Sequence, residues 1–178
     1  LLLTKPLGTG VLATAVKARW DHAEESEAEV TRWCSRLNSV AGAVVRDLKI
    51  AAATDITGFG IGGHALEMAL ASNVTVVLHA EALPLMPHAL EYARDGLIPA
   101  GSHLNKNYWA CSTRVDDTVD EALTSLAFDA QTSGGLLLAV APELVRQASQ
   151  LLLAGGDLAC EVGEVTEAGA DGAALILR

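Results

Sequence analysis

The residues best placed to do chemistry in this 178-residue chain lie in one stretch, Thr54-Asp55-Ile56-Thr57-Gly58-Phe59-Gly60. Asp55 follows a short apolar run, Ile50 to Ala53, and precedes a glycine-rich turn and the start of a helix. Open α/β arrangements bind ligands at that position, just past a strand end. Gly58 and Gly60 allow a sharp turn and a close backbone approach. The local pattern equally allows Asp55 or Thr57 to cap the helix by accepting from an orphan N–H. Lys5, with Gly8-Thr9-Gly10 at the next helix start, could hold an anion. The Walker order of glycines followed by GK[ST] is absent, so spacing favours a structural turn there. A second glycine-rich run, Gln131-Thr132-Ser133-Gly134-Gly135, enters a strand and requires special dihedrals or close backbone approach.

The remaining reactive side chains give weaker signals. Cys34, Cys111 and Cys160 are odd in number and lack CxxC spacing, which favours a reducing cytoplasm over a disulfide framework. Five histidines are scattered along the chain, and no pair has metal-ligand spacing. With 12 Lys+Arg against 22 Asp+Glu, the net charge of −10 repels phosphate backbones and argues against nucleic-acid binding. It also requires any bound nucleotide triphosphate to come with a divalent cation and with positive groups from elsewhere. No apolar run approaches the ~20 residues of a membrane helix, and no signal peptide is visible. The chain opens directly on Leu1-Leu2-Leu3-Thr4 without Met, which suggests a piece of a longer protein.

The elements that must position these residues can be read in order. Leu1 to Thr4 predicts a strand, and Thr9 to Trp20 a helix. Ser26 and Glu29 form a capping-box pattern at the head of a long helix. Its stripe of Val30, Trp33, Leu37, Val40, Ala41, Val44, Val45 and Leu48 recurs at helical spacing, with Trp33 as core. Val74 to His79 is a β-branched strand. Pro84 and Pro87 bracket a turn before a short helix, His88 to Arg94, closed by Gly96. From Ile98 to about Asp117 the polar sequence predicts irregular chain. Asp120 to Phe128 predicts a helix, Leu136 to Val140 a strand, and Pro142 to Leu153 a helix. Ala159 to Val165 and Ala173 to Leu177 predict two strands joined as a hairpin through Gly169-Ala170-Asp171-Gly172. Strands and helices mix without strict βα alternation, which predicts α+β packing, a mixed sheet covered by helices.

Four segments together resemble the C-terminal half of the selenophosphate synthetase (selenide, water dikinase) family. They are Leu3 to Gly10, Thr54 to Gly60 with Gly63-His64, Pro99 to Asn105, and Asp129 to Leu138. Two departures are small. Asp129-Ala130 stands where the family usually has Asp-Pro, and Ala100-Gly101-Ser102 where it has a glycine-glycine-threonine loop.

The resemblance implies the fold of the C-terminal domain of aminoimidazole ribonucleotide synthetase-like proteins, spanning residues 1–178 as a single domain. It implies a cytoplasmic enzyme that turns ATP, selenide and water into selenophosphate, AMP and phosphate with Mg2+, as a homodimer when full length. The nucleophile, the catalytic lysine and most magnesium-binding aspartates would then belong to an N-terminal half that these residues lack. This segment would hold no catalytic residue. Of the family's metal ligands one maps here, onto Asp55, as a contribution across the interface with that half. Asp55 is then expected at the carboxyl end of a central strand, partly exposed. Two alternatives remain: another kinase or synthetase of the same superfamily, such as a thiamine-phosphate kinase, or a docking domain that is non-catalytic in isolation.

Overall fold

Leu2 and Leu3 are adjacent and both fully buried, because they point to opposite faces of a sheet covered on both sides. The computed structural model describes residues 1–169 and 172–178. Its first strand, β1 (Leu2–Leu3), pairs antiparallel with β5 (Leu136–Ala139) in the register Leu2↔Leu138 and Leu3↔Leu137. Leu3 and Leu137 join the main core, while Leu2 and Leu138 join a second cluster on the other face. That second face is covered by α3 (Ser39–Asp47), through Ala41 and Val44, and by α8 (Val145–Ala154), through Ala148 and Leu152.

Two four-stranded sheets stand in place of one. The first runs β2 (Ala52–Asp55), β5, β1 and β6 (Cys160–Glu161). The second runs β4 (Thr113–Val115), β8 (Leu175–Leu177), β3 (Val74–Leu78) and β7 (Gly163–Glu167). The central helix α4 (Gly60–Ser72) presents Ile61, Ala65, Leu66 and Ala69, a helical stripe, to a core shared with Leu3 and Leu137 of one sheet and Val76, Leu78 and Leu175 of the other. A helical cluster forms beside it. There α1 (Thr9–Ala18), α2 (Ala23–Ser35), α5 (Ala89–Arg94) and α7 (Glu121–Ala127) bury Val11, Leu12, Trp33, Tyr92 and Leu126. The α+β class and the core role of Trp33 follow the sequence reading. No helix among the described residues is long and apolar enough to cross a membrane.

Several local expectations are overturned. β2 is an edge strand and not a central one. The predicted terminal hairpin does not form, because β7 and β8 flank β3 on either side, antiparallel and parallel respectively. Of its loop, Ala170 and Asp171 lie outside the described residues. The long helix breaks at Arg36 to Asn38 into α2 and α3, since tertiary partners take its groups: Lys5 Nζ donates to Arg36 O, and Asn38 Nδ2 to Gly134 O. The capping box is not made. The helix starts at Ala23, and Ser26 lies buried within it, bonded to Tyr92. The polar stretch after Ile98 forms α6 (Ala100–Trp109) following Pro99, with Ser102 buried beneath it.

Lys5 is the least expected core residue. Only 1% exposed, it donates from Nζ to Trp33 O (3.2 Å), Arg36 O (2.5 Å) and Ser133 O (2.9 Å). All three ammonium protons are used, on carbonyls at the carboxyl end of α2 and on the glycine-rich turn before β5. Helix carbonyl ends favour a cation, which helps hold this charge inside. Burial pulls the ammonium below its ordinary pKa, opposed by the Asp157 carboxylate. Lys5→Met, which keeps the stem and removes the donors, leaves three carbonyls unanswered. It is expected to cost about 2–4 kcal/mol in urea unfolding. A loss within experimental error would mean that water replaces Nζ freely.

Candidate functional site

The four motif segments that are distant in sequence converge on one polar network. Its centre is Asp129, which is fully buried. Its Oδ2 accepts from the backbone N–H of Gly10 (3.0 Å) and Val11 (3.3 Å), in the first turn of α1, and from Gln131 Nε2 (2.9 Å). Its Oδ1 accepts from Ser102 Oγ (2.9 Å) of α6. Gln131 Oε1 accepts from Gly8 N (3.1 Å), Thr9 N (3.2 Å) and Thr9 Oγ1 (3.1 Å). The amino end of α1, which has no cap from its own preceding residue, is thus satisfied from 120 residues away. The anion that the Lys5 to Gly10 turn could bind is this internal carboxylate. Ala130 adds a bond that proline could not, its N–H donating to Ser102 Oγ (3.3 Å).

The Thr54 to Gly60 segment is fastened to the same network. Asp55 is in register with Leu136, Ile56 N donates to Gly135 O (2.9 Å), and Gln131 N donates to Thr57 O (2.9 Å). Asn105 Nδ2 of α6 reaches Gly58 O (2.7 Å) and Phe128 O (3.2 Å). Gly60 has φ 70°, and a Cβ there would stand 2.7–2.9 Å from the backbone of residues 127–129. The turn can therefore lie flat on the α7–β5 connection only as glycine. At Gly58 the space is open, so that position imposes no such demand. A Cβ on Gly134 would meet Ile56 O at 2.4 Å, and one on Gly135 would meet Lys5 N at 2.5 Å. The close approach expected of this pair exists, and it is made to the chain's own backbone.

Asp55 stands apart from this network. Its residue is exposed at the carboxyl end of β2, and its carboxylate has no hydrogen bond or ion pair among the described residues. It does not cap α4, whose N-cap position is Phe59 and which has no side-chain cap bond. Thr57 does not cap it either. Thr57 Oγ1 lies 3.0 Å from His64 Nε2, and His64 Nδ1 lies 3.1 Å from Glu67 Oε2, a relay along the start of α4. Phe59, 44% exposed, packs on His64 and edge-on to Trp109. The capping reading of Asp55 is therefore removed, and a solvent-facing carboxylate on a fixed backbone, without a partner among the described residues, remains. The hub residues Asp129, Gln131, Ser102 and Asn105 all lie within the motif segments, but the sequence alone assigns none of them a hub role. Their signal was polar residue types inside apolar or glycine-rich surroundings, which also describes a loop.

Residues 1–176 match the family described as AIR synthase related protein, C-terminal domain. Among curated relatives, a selenide, water dikinase of Nitratidesulfovibrio vulgaris (strain DSM 19637 / Miyazaki F) is 54% identical over all 178 residues, which cover 51% of that protein. The selenide, water dikinase of Trichlorobacter lovleyi is 47% identical over 142 residues, 80% of this chain and 40% of the relative. The chain spans about half the length of the curated relatives it matches. Among solved structures, a thiamine-monophosphate kinase from Stenotrophomonas maltophilia K279a superposes with TM-score 0.62 at 17% identity. It is matched over 99% of this chain and 48% of its own. A hydrogenase maturation protein HypE, solved in complex with ATP, gives 0.61 at 15%, over 99% of this chain and 46% of its own. At these identities the two structures establish the fold alone.

The buried hub makes the stability of the chain depend on pH. Burial pushes the Asp129 carboxyl up from 3.8 to about 6, against the pull of Ser102, Gln131 and the Gly10 and Val11 amides. Between those values the folded chain keeps a proton that the unfolded chain has lost, so this group's contribution is full below pH 3.8 and is lost as pH rises through 6. The contribution amounts to roughly 3 kcal/mol. Asp129→Asn can keep every bond, with its oxygen facing the amides of α1 and its NH2 facing Ser102. Urea titrations across pH 4 to 7 should show the wild type losing roughly 3 kcal/mol relative to Asp129→Asn. Parallel profiles for the two proteins would mean that Asp129 titrates normally.

Proposed function

The chain belongs to the AIR synthase related protein, C-terminal domain family, and from that premise we propose that it is the C-terminal part of a selenophosphate synthetase. The proposed reaction turns ATP, selenide and water into selenophosphate, AMP and phosphate, in keeping with the name of the 54% identical relative, a selenide, water dikinase. Within it, Asp55 contributes one carboxylate to a magnesium ion whose other ligands come from the N-terminal half of the same protein and from ATP. The observation that carries this reading is the exposed Asp55 carboxylate, held in fixed register by β5 and left without a protein partner.

The donor set fits that ion as a contributor and not as a complete site. Magnesium takes carboxylate and phosphate oxygens and retains several waters, so one or two protein carboxylates suffice once phosphates are present. When bound, the ion spreads charge off the phosphate oxygens as the anhydride bonds break. The chain's own residues position the ligand. The Gly134-Gly135 turn and β5 fix the Asp55 backbone, and Asn105 and Gln131 pin the segment after it. With a net charge of −10, this chain brings no cluster of cations to a triphosphate, which is consistent with phosphate binding through a metal.

Two of the three cysteines support placing the nucleophile elsewhere. Burial raises the thiol pKa of both Cys34 and Cys160, the opposite of what an attacking thiolate requires. Lys5 is committed to three carbonyls and has no free donor for a phosphate.

In the full-length protein, Asp55→Asn is expected to lower AMP formation at limiting magnesium about a hundredfold or more. Because the carboxylate makes no internal bond, unfolding free energy should move by less than about 0.5 kcal/mol. Measuring AMP against ADP separates a dikinase from an ordinary kinase of the same fold. Wild-type AMP turnover in the variant would remove the ligand role. Selenophosphate synthesis by residues 1–178 alone would overturn the placement of the catalytic groups in the other half.

A further inference from the structure

Two neighbouring side chains, His22 and Glu25, meet a third that is remote in sequence, His88, at one end of the α1–α2–α5 cluster. His22 precedes α2 and His88 precedes α5, both with left-handed backbone, φ 59° and 65°. Their rings stack with centroids 4.3 Å apart and planes 5° from parallel. Glu25 lies between them, Oε2 standing 3.6 Å from His22 Nδ1 and 3.3 Å from His88 Nε2. The ligand atoms of all three residues lie within 4.8 Å of one another. We propose that His22, Glu25 and His88 form a binding site for a zinc-class divalent cation, separate from Asp55.

The distances fit such an ion. With bonds of about 2.1 Å, a tetrahedral zinc centre sets its ligands about 3.4 Å apart, and the two carboxylate–imidazole separations straddle that length. Closing the two nitrogens on to one ion requires only that the imidazoles turn out of the parallel stack about χ2, a soft torsion. His22 is half exposed and free to do so. The second layer is already present. His88 Nδ1 lies 3.4 Å from Glu91 Oε2, the carboxylate partner that fixes tautomer and orientation when Nε2 binds a metal. The backbone beneath is clamped as well. Tyr92, 1% exposed, bonds Ser26 Oγ (3.0 Å) and donates to Asp21 O (2.6 Å), locking the start of α2 to α5. Two imidazoles and one carboxylate select zinc-like ions over magnesium, which takes oxygen ligands. A water completes the fourth position.

The test is calorimetric titration of the chain with Zn2+ alone, with Mg2+ as a control. One equivalent of Zn2+ should bind, and excess Mg2+ should not displace it. His22→Asn and His88→Asn suit the left-handed backbone, since Asn tolerates positive φ. Each should weaken zinc binding more than about tenfold, and Glu91→Gln by a smaller factor, with unchanged circular dichroism. Co2+ should give tetrahedral visible bands without a thiolate charge-transfer band, which distinguishes this site from the three free cysteines. Without any mutation, the imidazole signals of two of the five histidines should shift on adding one equivalent of Zn2+. The proposal fails if wild type binds no zinc, if both Asn variants bind as wild type does, or if the cobalt spectrum carries the thiolate band.

Discussion

The amino end of α1 has to be answered from inside the protein, and the pair Asp129 and Gln131 answers it. Four backbone amides, Gly8 to Val11, converge on two side-chain oxygens that come from the other end of the sequence. Removing either acceptor would leave several buried donors unpaired, each costing about 1–3 kcal/mol. Because Asp129 also binds Ser102 and the Gln131 amide donates to it, the positions of α6 and of the β5 approach are set by the same carboxylate. The Asp55 turn is fixed at one remove, through Gln131 N and the carbonyl of Thr57.

Lys5 is the counterpart at the opposite pole. One internal anion meets the positive end of α1, and one internal cation meets the negative end of α2, so each charge lies where a helix dipole favours it. The buried lysine and the buried aspartate both serve as internal counter-charges to helix ends. Both lock loops whose glycines bring backbone against backbone too closely for a Cβ. The residue proposed to act, Asp55, is the acid that these locks leave free at a sheet edge.

The legible parts of the sequence were those in which one physical signal dominates. The run Val74 to His79 is β-branched and reads as a strand, and Val74–Leu78 forms one. Asp120 was read at the head of a helix and accepts from Ala122 N (2.8 Å) as its cap. The illegible parts were decided by partners remote in sequence. Helical periodicity runs unbroken from Val30 to Leu48, yet tertiary bonds to Lys5 and Gly134 break the helix at Arg36. α6 is polar because most of it faces solvent, and Ser102, Asn105 and Trp109 reach inward. The edge position of β2 and the separation of β7 from β8 depend on crossover topology, which propensity does not encode. At the candidate site, the position and exposure of Asp55 could be anticipated, whereas its lack of any cap role required coordinates. His22 and His88, 66 residues apart, carry no spacing signal at all; the packing of α2 and α5 on α1, with the Ser26–Tyr92 bond, brings them together.

Donor chemistry keeps the two proposed cation positions from competing. Asp55 offers a single hard oxygen on an open edge, too little to hold an ion without phosphates and further carboxylates, so its occupancy would follow nucleotide and the other half. His22, Glu25 and His88 offer two imidazole nitrogens and one oxygen on a backbone already clamped by Tyr92, so their occupancy would follow the free concentration of a zinc-like ion. As proposed, the first position would couple metal to catalysis. As proposed, the second would couple metal to the relative placement of the starts of α2 and α5, and hence to the stability of the helical cluster that contains α1. Since α1 is the element whose amino end the Asp129 hub satisfies and on which α2 and α5 both pack, an ion at the histidine pair would tighten the cluster around the same helix.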